Sequence, residues 1–201
     1  MMIRITLLIV LFVICSCKSI TQENQLNDTI KLCIDKKSKK YTLETFNIYD
    51  YSEKIEQILI DEKFLLTKNK ESYNNLLDEI ANASREKKYF ELYKKINKDL
   101  YYSDVLMNPG VMPSVFECIK NSFTSEKLEE NQTFNNYIKS IDEILKSALF
   151  NNYSLNKRII NTTPEGQTSS IIYRAPMIAI IYSNLYYYNE SNGNNSKWLI
   201  R

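Results

Sequence analysis

The stretch "PMIAIIYSNLYYY", residues 176–188, reads two ways, and the choice decides the fold. Its isoleucines and tyrosines suit a strand, as does Ile171–Tyr173 just upstream. The same letters place Ile178, Ile181, Tyr182 and Leu185 at offsets of 0, 3, 4 and 7, one stripe of a helix. Pro176 then stands where a first helical turn tolerates proline. A lone hairpin is marginal in water and needs a sheet to join. What the rest of the chain supplies therefore settles the matter.

The rest is helical. Over residues 131–150, Phe134, Tyr137, Ile138, Ile141, Ile144, Leu145 and Ala148 keep one face for two heptads. Tyr73, Leu76, Leu77, Ile80 and Ala83 form a second stripe, and Tyr89, Leu92, Tyr93, Ile96 and Leu100 a third. Asp50 and Glu53 have capping-box spacing ahead of Ile55, Ile58 and Leu59, which predicts a helix over about 51–62. Ser114 and Glu117 repeat that spacing after the Pro- and Gly-bearing "MNPGVMPS", residues 107–114, ahead of a helix burying Val115, Cys118 and Ile119. Short polar joints predict antiparallel neighbours. Leu155, Ile159 and Ile160 fit a short helix, and "TPEG", residues 163–166, a turn. With five alanines and three glycines the chain lacks the close-approach pattern of tetratricopeptide-type repeats. The expectation is a mainly α fold, one irregular helical domain over 41–188. Only residues 41–50 alternate well enough for a short strand, so helix is the better reading for 176–188.

The amino-terminal residues carry a different signal. In MMIRITLLIVLFVICS, residues 1–16, Arg4 precedes an apolar run from Ile5 to Ile14, too short for a hydrocarbon core that needs about 20 residues. A charged start, a short apolar core and a small-residue exit make a signal peptide. The exit, Ile14-Cys15-Ser16-Cys17, resembles the lipobox of bacterial lipoprotein precursors. That resemblance implies diacylglycerol transfer to Cys17, cleavage after Ser16 and acylation of the new amino terminus. Cys15 fits the lipidation site poorly, with branched Ile14 before it. In such lipoproteins an aspartate after the cysteine retains the protein in the inner membrane, so Lys18 favours the outer one. Two or three acyl chains anchor stably where one is marginal.

Residues 17–40 then read as the lipidated cysteine and a flexible polar tether, ending in "DKKSKK", residues 35–40. Contact of Lys36, Lys37, Lys39 and Lys40 with anionic lipid is the less favoured reading of that run. Residues 189–201 read as a polar tail. Cys33 and Cys118 remain outside the lipid site. In an oxidising compartment they either pair, closing a long loop, or stay as separate thiols; their spacing does not decide.

Composition excludes much chemistry. Removing residues 1–16 takes away one of 26 basic residues and none of 24 acids, leaving 25 − 24, or +1, which points to no nucleic-acid partner. Without histidine the usual general base and zinc ligand are missing, and three scattered glycines build no phosphate-cradling loop. No catalytic residue, metal ligand or cofactor is assigned. The acid pairs Asp61-Glu62, Asp78-Glu79, Glu129-Glu130 and Asp142-Glu143 lie beside apolar stripes, as solvated faces do. Fifteen tyrosines stand out. Most suit half-buried core positions, but Tyr101, Tyr102, Tyr186, Tyr187 and Tyr188 form clusters that cannot all face inward and could offer a contact surface. The expected function is a non-enzymatic, lipid-anchored envelope lipoprotein that binds another envelope protein in an accessory or immunity-type role. The alternatives are an envelope hydrolase using Asp and Glu carboxylates, or a glycan-binding module using exposed tyrosines.

Overall fold

The computed structural model describes residues 25–41, 47–100, 106–108, 110–123 and 132–192. Among these residues there are eight α-helices and no strand. They are α1 (25–38), α2 (Ile48–Asp61), α3 (Lys70–Asn82), α4 (Lys87–Asp99), α5 (Val111–Ser122), α6 (Gln132–Ser147), α7 (Tyr153–Thr162) and α8 (Ile171–Asn192), with a 3₁₀ turn at Gln167–Ser169. The mainly α expectation is met.

The ambiguous stretch is the axis of the fold. Fourteen of the 22 residues of α8 are buried, including Met177, Ile178, Ile180 and Ile181 on different faces of the helix. It touches α2, α3, α4, α5 and α7, and a helix packed on all sides carries apolar residues all round. This is why residues 171–182 have the density of β-branched residues that also suits a strand. Each fully buried isoleucine contributes about 1.5–3 kcal/mol of transfer free energy. The helix begins at Ile171, not at the proline, so Pro176 lies inside it and leaves the Ile172 carbonyl without its usual donor. It also runs to Asn192, a turn into the expected polar tail. There Tyr188 is packed against α4, and the Asn192 side chain bonds to the Tyr188 carbonyl at 3.1 Å.

The predicted stripes of the other helices are buried as well. Tyr73, Leu76, Leu77 and Ile80 of α3 are buried, as are Tyr89, Leu92, Tyr93 and Ile96 of α4 and Tyr137, Ile138, Ile141 and Ile144 of α6. The antiparallel pairing expected from short joints holds best for α6 and α7, whereas α2, α3 and α4 pack chiefly against α8 or, for α3, also α7. Tyrosine serves here as a core residue, and Tyr73, Tyr89, Tyr137, Tyr173 and Tyr182 are among the largest fully buried side chains.

Three further helix boundaries differ from expectation. α2 begins at Ile48 because Asn47 accepts from the amides of Tyr49 and Asp50 at 3.0 and 3.4 Å, so Asp50 sits in the first turn and is not the cap. Residues 48–50 are thereby helical, and the rest of the expected strand, apart from the turn at Tyr41 and the extended cap Asn47, lies at 42–46, outside the described residues. α5 begins at Val111, and Ser114, already inside it, donates back to the Gly110 carbonyl. α6 ends at Ser147, three residues early, where Ala148 turns left-handed at φ 52°.

The largest departure is at the tether. Residues 25–38 form α1, with Ile30 and Ile34 wholly buried and Leu26 and Cys33 packed against the core. Leu26, Ile30, Cys33 and Ile34 fall at offsets of 0, 4, 7 and 8, a helical stripe inside a polar composition. Cys33 is joined to Cys118 of α5 in a disulfide with a Cα–Cα distance of 5.7 Å. This segment is part of the domain.

Candidate functional site

The deepest charges meet at α8. Glu56 of α2 lies on the inward face with Ser52, Ile55 and Leu59 and has no solvent exposure. Arg174 is the one charged residue in the apolar run 171–182, and its Nε donates to Glu56 Oε1 at 2.7 Å. The Tyr73 hydroxyl donates to the same oxygen, and Lys68 Nζ stands 2.9 Å from Oε2. Arg174 Nη1 donates to the carbonyls of Thr168 and Ser169 at 2.9 and 2.6 Å. Burial, reinforced by the Glu56 charge, pushes the Tyr73 phenol far above its ordinary range. A buried charge is tolerated only when paired and hydrogen-bonded, and here the pairing ties α2, α3, α8 and the 3₁₀ turn together. With its guanidinium, phenol and ammonium partners crowded around it, this carboxylate acts as an internal clip.

Sequence reasoning missed both residues. The signal was Arg174 itself, because an arginine in a stretch that must be buried requires a carboxylate partner.

The described acid pairs are spread over the surface with separate partners. Gln57 donates to Asp61, Glu62 faces Lys95, and Glu79 accepts from the Tyr89 hydroxyl at 3.1 Å. Asp78 accepts from Tyr153 at 2.6 Å and from Lys157 at 2.7 Å. Partial burial pushes the Asp78 carboxyl up, but the hydrogen bonds from Lys157 and Tyr153 prevail and hold it below the usual carboxylate range. Lys120 and Lys146 hold Asp142 low in the same way, and Arg158 pairs with Glu143. A general acid at neutral pH needs the opposite shift. Glu129 and Glu130 lie outside the described residues.

The tyrosines of the 186–188 cluster do not share one face. Tyr188 is buried, its ring edge-on to Tyr89 at 5.4 Å and its hydroxyl accepting from the Glu86 amide. Tyr186 is half-buried between Tyr93 and Tyr187, which leaves Tyr187 as the solvent-facing ring of that trio. Register on α8 explains this split, since three consecutive residues point about 100° apart around a helix whose neighbours enclose most of it. Tyr101 and Tyr102 lie outside the described residues.

The disulfide side of the molecule carries a different chemistry. Lys37 pairs with Glu117 across the α1–α5 contact. Lys31, Lys36, Lys39 and Lys40 are exposed, as is Leu32 at 70%. A cleft of about 240 Å³ separates the end of α1 from the start of α5, lined by Lys37, Lys40, Tyr41, Pro113 and Glu117. The Tyr41 ring lies against Gly110, where an added Cβ would come within 2.3 Å of it.

Among the described residues no group of three or more Cys, Asp or Glu side chains could hold a metal ion, and no helix is long and apolar enough to cross a membrane. No family model, curated protein or solved structure matches the chain.

Proposed function

We propose that this chain is a bacterial envelope lipoprotein, processed after Ser16, anchored through acyl chains on Cys17 and acting without catalysis by binding another envelope protein, with the outer membrane the favoured site. The observation that carries the export half of this reading is the Cys33–Cys118 disulfide. Such bonds persist in oxidising compartments and are rare where glutathione and thioredoxin keep thiols reduced. The leader and the disulfide therefore point to the same compartment from independent parts of the sequence. The non-catalytic half is supported by the surface chemistry, in which lysine partners hold the Asp78 and Asp142 carboxyls below the usual carboxylate range.

Metabolic labelling with an alkyne fatty acid tests the anchor. Cys17→Ser should abolish the label and leave an unprocessed precursor, whereas Cys15→Ser should mature normally; loss of label in Cys15→Ser alone would overturn the site assignment. Crosslinking in the native cell, followed by capture of the acylated protein, tests the second half. One partner near stoichiometry, lost with Cys17→Ser, supports it. Turnover of peptidoglycan fragments by the purified protein, abolished by one Asp or Glu substitution, would replace it with the hydrolase reading.

A further inference from the structure

We infer that the outer face of α1 is a docking surface for an anionic lipid bilayer. The inference deepens the lipid-anchor reading and takes its orientation from it. Residues 18–24 are all that separate Cys17 from the first described turn of α1, a reach of at most about 28 Å when fully extended. A domain of this size has a radius of gyration of about 16 Å, so that leash is shorter than the molecule is wide. The face that carries α1 is the one such an anchor holds against the membrane.

That face has the composition a lipid surface selects. Lys31, Lys36, Lys39 and Lys40 are exposed, and among the described residues no carboxylate pairs with Lys36, Lys39 or Lys40. Leu32, one turn before Lys36, is 70% exposed, and Tyr41 just beyond the helix is 52% exposed. The two acids of α1 do not cancel the lysines. Asp28 is a single exposed charge, and Asp35 is turned far enough inward for its charge to act on the buried Tyr49 phenol. Lysines near a helix carboxy terminus also complement the helix dipole, which accounts for Lys36 and Lys37. It gives no reason for an exposed leucine among them or a tyrosine at the rim. Basic residues around a protruding apolar side chain, with an aromatic at headgroup level, match the interfacial geometry of a bilayer. The disulfide and the buried Ile30 and Ile34 hold this face rigid, which is why the residues first read as a slack tether present a fixed surface.

The test is vesicle co-sedimentation of the oxidised chain from residue 17 onward carrying Cys17→Ser, which contains every described residue and no acyl group. The vesicles are phosphatidylcholine alone, or with about a third phosphatidylglycerol. Partitioning should be about tenfold stronger on the anionic vesicles and should vanish at high salt. Reversing Lys36, Lys39 and Lys40 to Glu should weaken it about tenfold or more, and Leu32→Asp by a smaller factor. The same reversal at Lys87, Lys94 and Lys98, exposed on α4, should have little effect. Equal partitioning on both vesicles, no partitioning on either, or equal losses from the α1 and α4 reversals would overturn the inference. Absence of acyl label in cells would instead sink the anchor reading and leave the vesicle result standing on its own.

Discussion

α8 and α1 are both helices of this domain, yet different forces hold them. α8 packs against five helices and buries residues on all sides, so its position follows chiefly from burial, with the Glu56–Arg174 pair as an internal clip. α1 buries Ile30 and Ile34 completely and little else, and a covalent bond from Cys33 does the rest. A helix that owes its place to burial advertises itself as an apolar run. One that owes part of it to a disulfide can be mostly polar, and its sequence looks like a linker.

The sharpest way to break the α8 side is to orphan its buried charge. Glu56→Ala should destabilise the domain by about 3–5 kcal/mol, because Arg174 is left buried without a counter-charge. A Glu56→Leu, Arg174→Met double variant should recover most of that loss, read by urea denaturation. On the α1 side, Cys33→Ser with Cys118→Ser should cost about 2–4 kcal/mol, with a ceiling near 5 set by the long loop. Hydrogen exchange should separate the two regions. Without the disulfide α1 amides should exchange early while those of α8 stay protected, and equal loss in both helices would show that the contrast is false.

Smaller effects refine the picture at the periphery. The Asp78 carboxyl has a folded-state pKa depressed below its unfolded value, so its contribution is present above about pH 4 and disappears as pH falls through the folded pKa. Asp78→Asn should therefore flatten the acid limb of a stability–pH curve while leaving neutral and alkaline behaviour nearly unchanged apart from a small uniform loss. Ala148 sits at φ 52°, and Ala148→Gly should raise stability by about 0.5–1 kcal/mol by removing the strain of a left-handed side-chain-bearing residue.

The stripes of α3, α4 and α6 were legible because each has one wet and one dry face, and a 3.6-residue period records that directly. Helix starts were less so. Asn47 and Asp50 are both competent caps within one turn of each other, and only the packing of Tyr49 and Tyr51 decides between them. For α8 the period was diluted because dry faces surround the helix, so its class came from context. The stripe of Leu26, Ile30, Cys33 and Ile34 in α1 is interleaved with polar residues and three lysines, and a composition-based reading discounts a stripe so sparse. Glu56 and Arg174 are 118 residues apart, and no local pattern links a charge on one helix to its counter-ion on another. Of the tyrosine cluster on α8 Tyr187 alone is exposed, because three adjacent residues on an enclosed helix cannot share a face.

The Cys33–Cys118 bond also sets how this molecule would carry a mechanical load. Tension applied at the amino-terminal end enters α1, crosses the sulfur bridge to α5 and bypasses the 84 residues between, so α2, α3 and α4 are out of the load path. Pulled from its two ends, the oxidised chain should reach full extension about 300 Å sooner than the reduced one.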